Sequence, residues 1–208
     1  GRSRSAPRSR PDPQALVDEA AALLGAAPGH GRVVVAFPGV VHDGVVLAAP
    51  GLSPALRGFP LAPALQRRSP HPVAVLASAA LRGLPVIDGH GVELVLSLGA
   101  SLGSALFIEG RLIPGVAVEE HPAFHGKTYG QALSGRTRRR LGRRRWRRRV
   151  ARAVALLIAT FHPRAVYLCG RGARRLPDAL LPETGDLVRI VRDGPSLARG
   201  VAALRPEA

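Results

Sequence analysis

Short apolar runs rich in β-branched residues set the terms on which this chain can fold: "RVVVAF", "HPVAVLAS", "VELVLSL" and "AVYLCG". Each has the length and composition of a strand, and the stretches between several of them carry helical spacing. The coarse organisation therefore alternates β and α, and the fold class read from it is α/β. At 208 residues with 46% hydrophobic content the chain is long enough to bury a real core, as one large domain or two small lobes.

Pro13 to Gly25 reads as a helix, with Leu16, Ala20, Leu23 and Leu24 near helical spacing, behind an Arg-, Ser- and Pro-rich tail over 1–13 expected to be disordered. "RVVVAFPGVVHDGVVLAAPGL" reads as two β-branched runs around His42, Asp43 and Gly44, and Asp-Gly is the preferred two-residue hairpin turn. "GFPLAPALQRRS" reads as a short amphipathic helix and "HPVAVLAS" as the next strand. "VELVLSLGASLGSALFIEGRLIP" reads as strands turning at Gly99 to Gly103 and again at Glu109 and Gly110. A long basic helix over about 136 to 160, the strand "AVYLCG", the strand "DLVRIV" and a helix in "PSLARGVAALR" complete the series.

"GASLG" matches G-x-S-x-G, the nucleophile elbow, in form alone. That motif needs a helix after the turn, whereas "SALFIEG" reads as a return strand. A plain tight turn is the first reading, a turn that lets backbone approach a phosphate the second, and a Ser101 nucleophile the third.

The formal charge of +16 suggests a polyanion partner, since basic surfaces bind by releasing counterions. Yet among 30 basic residues only Lys127 is a lysine, which also suggests a coding bias toward arginine. A single cysteine, Cys169, excludes a disulfide framework and multi-cysteine zinc patterns, and reads as a buried small hydrophobe. No apolar stretch approaches the length of a membrane span, and the N-terminus is no secretion signal, so no membrane partner and a cytoplasmic location are expected. The chain has no methionine, even at position 1, and is expected to begin downstream of its true start or after processing.

Taken in order, "VVVAFPGVVHDGVVLAAPGL", "VELVLSLGASLGSALFIEGRLIP", "HGKTYGQAL", "LGRRRWRRRVARAVALL" and "VYLCGRGA" resemble the repressor, ORF and kinase (ROK) family, in its polyphosphate glucokinase branch. The resemblance runs from about residue 31 to 176. It implies the actin-like ATPase (ribonuclease H-like) fold of sugar kinases, two α/β lobes about a cleft. It also implies phosphoryl transfer from polyphosphate or ATP, with magnesium, to glucose or another sugar, and a homodimer as an option. Residues 14–84 would be the remnant of the N-terminal lobe and 85–208 the C-terminal lobe, and the family's first phosphate-binding hairpin is not found in the chain.

The same resemblance marks what has changed. The family's Asn-Asp, sugar ligand and catalytic base, falls on Ala77 and Ser78, and a serine hydroxyl is no general base near neutral pH. The family's "APNL" is here "APGL", with Gly51 for the sugar-contacting asparagine. Its "ELGH" aligns on Ala117, Val118, Glu119 and Glu120, which leaves Ala117 and Glu120 at sugar positions. "LGTGLG" has become "LGASLG", so the phosphate-binding positions are Gly99, Ala100, Ser101 and Gly103. The second lobe's glycine loop is "CGRG", giving Gly170 and Gly172 with Arg171 between them. Because phosphoryl transfer rests on positioning and electrostatics, these losses together imply a degenerate kinase. The rival reading lets Glu119 or Glu120 substitute as base or sugar ligand.

Between Arg136 and Arg152 stand eleven arginines, interrupted by Leu141, Trp146 and Val150, and the apolar series continues as Ala153, Val154 and Leu157. That spacing gives a core face anchored by Trp146. The surplus arginines, chiefly Arg143, Arg144, Arg145, Arg147 and Arg148, read equally well as a solvated face or as a groove for polyphosphate or nucleic acid. His121, His125 and His162 lack the carboxylate and cysteine partners of a metal site, and no metal is expected there. "GKTY" fails the P-loop spacing, so Lys127 reads as a loop residue before a helix cap at Thr128.

Overall fold

The computed structural model describes residues 12–25, 31–124, 126–192 and 197–204. Most of the tail read as disordered, His125, and both ends of "PSLARGVAALR" lie outside the described residues. The elements are α1 (Pro13–Gly25), β1 (Val33–Phe37), β2 (Val40–His42), β3 (Val45–Ala48), α2 (Leu61–Gln66), β4 (Val73–Ala77) and α3 (Ser78–Gly83). They continue as β5 (Val92–Leu98), β6 (Leu102–Ile108), β7 (Arg111–Ile113), β8 (Pro122–Phe124), β9 (Lys127–Thr128), α4 (Tyr129–Ala132), α5 (Gly135–Leu141) and α6 (Arg143–Phe161). β10 (Ala165–Cys169), α7 (Gly170–Ala173), β11 (Val188–Ile190) and α8 (Leu197–Ala202) follow.

The first β-branched run is two strands, not one. Pro38 and Gly39 end β1, which pairs in parallel with β4, and the chain resumes as β2, which pairs with β3 in an antiparallel hairpin. Proline has no amide hydrogen to give a ladder, and a Cβ on Gly39 would meet the Ala48 carbonyl oxygen at 2.2 Å. Asp43 (φ 47) and Gly44 (φ 75) close the β2–β3 hairpin with positive φ at both turn positions, as Asp-Gly predicts. Leu56, Leu61, Leu65, Phe37, Val46 and Val75 pack with Val17 of α1 into the core of this part.

The second sheet has the order β11-β10-β5-β6-β7. β10 runs parallel to β5 and β11, and β5, β6 and β7 form an antiparallel meander. Alternation along β5 serves both faces: Leu94, Leu96 and Leu98 meet Trp146, Val150 and Val154 of α6, while Val95 meets Ala79 and Ala80 of α3 together with Phe107 and Cys169. The buried Trp146, Val150, Ala153, Val154 and Leu157 follow the helical spacing read from sequence, and the Trp146 indole donates to the Leu133 carbonyl at 3.1 Å.

The basic helix is likewise divided. Gly142 adopts φ 76, ψ 163, ends α5 and precedes α6, so the arginines on either side lie on two helices. α6 ends at His162, left-handed at φ 44. Among the described residues no helix is long and apolar enough to cross a membrane.

Beneath the β5–β10 end of the sheet, Glu93 is fully buried (0% exposed). Its carboxylate accepts from the Asp88 and Gly89 amides at 2.7 and 2.8 Å and from the Tyr167 hydroxyl at 2.8 Å. Burial, then the bond to Glu93, pushes the Tyr167 hydroxyl well above the ordinary tyrosine range. Tyr167→Phe removes one donor from a buried carboxylate and is expected to cost about 1–3 kcal/mol, read as a lower urea midpoint with unchanged slope.

Candidate functional site

The junction of β4 and α3 is where the resemblance places a catalytic base, and here it holds Ala77 and Ser78. The Ser78 hydroxyl donates to the Phe37 carbonyl at 3.0 Å and so ties the start of α3 to the end of β1. Ala77 lines a cavity of about 30 Å3 shared with Val40 and Val41 of β2, Ser104 of β6, Ile113 of β7 and the Pro114–Val116 turn. Ser104 is the only polar side chain in that wall. A space of this size admits roughly one water molecule.

Ser104 is engaged behind the wall. Its hydroxyl donates to the Glu119 carboxylate and accepts from the Val118 amide at 3.2 Å. Glu119 is 2% exposed, and burial holds its carboxyl above the ordinary carboxylate range, against the opposing pull of the Ser104 bond. Glu120, the position aligned with a sugar ligand, is exposed, and Gly51 sits exposed in a turn at φ 79. Of the sugar positions implied by the resemblance, Gly51, Ala77, Ala117 and Glu120, only Ala77 reaches the cavity.

The phosphate positions fall elsewhere. Gly99 to Ser101 form the β5–β6 turn, with β6 beginning at Leu102, so the return strand read after "GASLG" is observed and no helix follows Ser101. The Gly135 amide donates to the Gly99 carbonyl at 3.1 Å, which fastens the turn to the start of α5. Gly170 has φ 82, and a Cβ there would meet the Leu98 carbonyl oxygen at 2.8 Å; one on Gly172 would meet the Leu98 Cβ at 2.6 Å. Close packing of α7 on the end of β5 by itself requires both glycines.

Around this crossing lies a second, larger cavity of about 400 Å3. Gly99, Ala100 and Gly172 form part of its wall, with Arg136, Arg138, Arg139, Arg171, Arg175 and Trp146. Arg143, Arg144, Arg145, Arg147 and Arg148, the residues singled out from sequence, lie on α6 outside it. Arg147 supports it instead, donating from Nε to the Arg175 carbonyl at 2.7 Å. Arg149 and Arg152 stand over the Phe124 ring at 5.7 and 5.6 Å. Arg136, Arg138, Arg139 and Arg175 carried no separate signal within a general excess of arginine; only Arg171, inside a glycine loop, stood out.

This geometry can be set beside solved structures. An inorganic polyphosphate/ATP-glucomannokinase from Arthrobacter sp. strain KM superposes with a TM-score of 0.75 at 23% identity, over 92% of this chain and 83% of that one. A ROK family glucokinase from Streptomyces griseus, solved in complex with glucose and AMPPNP, gives 0.61 at 18% identity over 82% and 75%. The chain has the fold of the ROK sugar kinases. That is the actin-like ATPase fold expected from the five sequence segments. The same ROK fold extends to a ROK family transcriptional regulator, a homolog of the E. coli MLC protein, at 15% identity and a TM-score of 0.56 over 82% of this chain and 58% of that one. No family model and no curated protein matches the sequence.

The remaining candidates are local. Thr128 caps α4 as read, in a capping box with Gln131, and Lys127 precedes it in β9. The His121 ring lies 3.0 Å from the Pro122 carbonyl oxygen and 6.4 Å from the Tyr129 ring. Cys169 is buried and burial pushes its thiol up. Among the described residues no three His, Cys, Asp or Glu side chains cluster as metal ligands.

The raised carboxyl of Glu119 gives a pH test. Such a group is neutral in both states below its unfolded value and costs the folded state stability as pH rises from about 4.5 through the folded value. Glu119→Gln keeps the acceptor for Ser104 without the charge. The variant is therefore expected to match the parent at acid pH and to exceed it increasingly toward neutrality, measured as urea unfolding free energies across that range.

Proposed function

We propose that this chain is a ROK-fold protein that does not phosphorylate a sugar at an effective rate. The observation that carries this reading is the cavity of about 30 Å3 at the β4–α3 junction, apolar but for a Ser104 hydroxyl already bonded to Glu119. Sites for molecules of sugar size and above run to hundreds of cubic ångströms and present convergent polar groups. The hydroxyl at the base position is held by the Phe37 carbonyl, and the buried Glu119 lies behind Ser104 rather than in the cavity wall. Residues 14–84 are read as the N-terminal lobe and 85–208 as the C-terminal lobe, with α3 packed across the junction.

The proteins of similar fold named above supply the substrates to try, glucose with ATP or polyphosphate, in the presence of the magnesium that the family resemblance implies. The arginine-lined cavity suits phosphate oxygens, but no carboxylate stands in its wall to hold a magnesium ion. A second reading, a polyanion-binding module acting through the Arg-rich segment 136–152, is favoured by the exposed Arg143, Arg144, Arg145 and Arg148, none of which forms an ion pair among the described residues.

The test is a coupled assay of glucose phosphorylation with each donor, together with thermal melting in glucose. No glucose-dependent turnover and no rise in Tm are expected, and clear turnover with either donor overturns the reading. Ala77→Asn combined with Ser78→Asp is expected to restore less than about tenfold. A site lacking only its base would regain about 10²–10⁴-fold.

A further inference from the structure

The net charge of the chain comes from one stretch. Between His121 and Pro177 stand sixteen of the thirty basic residues and none of the fourteen acidic ones, so the rest of the sequence, with fourteen of each, is neutral. A coding bias toward arginine acts on the whole chain and does not clear carboxylates from a single stretch. The fold turns that stretch into a surface. On α6 the side chains of Trp146, Val150, Ala153, Val154 and Leu157 are buried, while Arg144, Arg145, Arg148 and Arg152 are exposed on the opposite side of the helix. None of these four forms an ion pair among the described residues, and α6 contains no Asp or Glu to answer them.

Spacing and composition narrow the partner. Arg144, Arg148 and Arg152 recur at every fourth residue, about 6 Å apart along the helix axis. Successive phosphates of a nucleic-acid strand are separated by a sugar and lie at a similar distance, whereas those of a condensed phosphate share a bridging oxygen and lie much closer. A protein partner needs apolar or aromatic anchors at the centre of its interface, and a lipid surface needs a free apolar helix face. Leu156 is the only large apolar residue exposed on α6, whose apolar stripe is buried in the core. Unstacked bases need exposed aromatic faces, and Trp146, on the same helix, and Phe124, beneath Arg149 and Arg152, are both buried. A paired duplex needs neither feature, because it keeps its bases stacked and turns its phosphates outward.

We infer that the outer face of α6, through Arg144, Arg145, Arg148 and Arg152, binds the phosphate backbone of double-stranded nucleic acid without reading its sequence. The inference rests on the polyanion reading above and names its partner. Contacts to phosphate fix a protein on a duplex but carry no sequence information, and the exposed polar side chains on this part of α6 are all guanidiniums. DNA and RNA duplexes share that backbone chemistry. Neither the glycine turns nor the arginine-lined cavity takes part, so the kinase assay and the binding test succeed or fail separately.

A short fluorescent DNA duplex and its RNA counterpart are titrated with the full chain by anisotropy at a series of salt concentrations, beside single-stranded DNA, long-chain polyphosphate and vesicles of phosphatidylcholine with phosphatidylserine. Saturable duplex binding is expected, equal within about threefold for A·T-rich and G·C-rich sequences, with log K falling against log salt at a slope of about −3 to −4, one unit for each arginine on a phosphate. Binding of either duplex supports the inference, and the tighter one identifies the source. Arg144→Ala with Arg145→Ala and Arg148→Ala should weaken binding about tenfold or more and reduce the slope by about three. Alanine favours helix and the three side chains are exposed, so the fold should persist. Arg144→Gln with Arg148→Gln repeats the test if the triple variant melts early, with the slope reduced by about two. Arg171→Ala with Arg175→Ala, in the cavity, should weaken binding by less than about threefold, as changes outside the contacts do. A triple variant that binds like the parent, or a loss confined to the cavity variant, overturns the assignment to α6. A preference above about tenfold for one sequence overturns backbone recognition, and tighter binding of the single strand or the vesicles than of either duplex overturns the partner. Polyphosphate binding without duplex binding overturns the inference and leaves the polyanion reading, whereas failure of every polyanion to bind overturns both.

Discussion

The contact on which the arrangement depends is the seating of α7 against the end of β5. Gly170 and Gly172 approach Leu98 so closely that any Cβ would collide with it, and the positive φ of Gly170 turns the chain out of β10 at that point. A parallel strand must hand its chain to a helix at its C-terminal end, and the tighter that turn, the nearer the helix lies to the neighbouring strand. Here the tightness carries Arg171 and Arg175 to the mouth of the β5–β6 turn. The same turn is bonded through Gly99 to the start of α5, so Arg136, Arg138 and Arg139 face them across one space. Two glycines and a backbone hydrogen bond thus gather charges that electrostatics alone would separate.

What was legible in the sequence was local. The Asp43-Gly44 hairpin, the strand β10, the capping box at Thr128 and the buried stripe of α6 each depend on residues within a turn or two of one another, and each is observed. The two breaks were less legible for a definite reason. Gly142 costs a helix only about 1 kcal/mol, and strong helix formers flank it, so propensity reads through it while the packing of α5 against the β5–β6 turn does not. Pro38 and Gly39 stood inside a continuous β-branched run, and the split appears only because β1 and β2 have different partners, β4 and β3.

The candidate site divides along the same line. That Ala77 and Ser78 stand at the β4–α3 junction was readable from the resemblance. That the space beside them is only about 30 Å3 was not, because it depends on Val40 and Val41 and on Ile113 to Val116 arriving from two other segments. The arginines invert the case. Their number was evident, but in a segment where nearly every polar residue is arginine, composition cannot separate those of α5, which line the cavity, from those of α6, which brace it, cover Phe124 or face water.

The two cavities are joined by one element. The β5–β6 hairpin sends Ser104 toward the smaller cavity and presents Gly99 and Ala100 to the larger, with Leu98 and Leu102 buried between them. One space is walled by apolar side chains and Ser104 and the other by guanidiniums that form no ion pair among the described residues, so the hairpin separates a closed space from a charged one. The apolar closure gains from burial at about 25 cal/mol per Å2, whereas the charged side gains nothing until an anion arrives. Stability favours the first and opposes the second, and both spaces take their shape from the same β5–β6 hairpin.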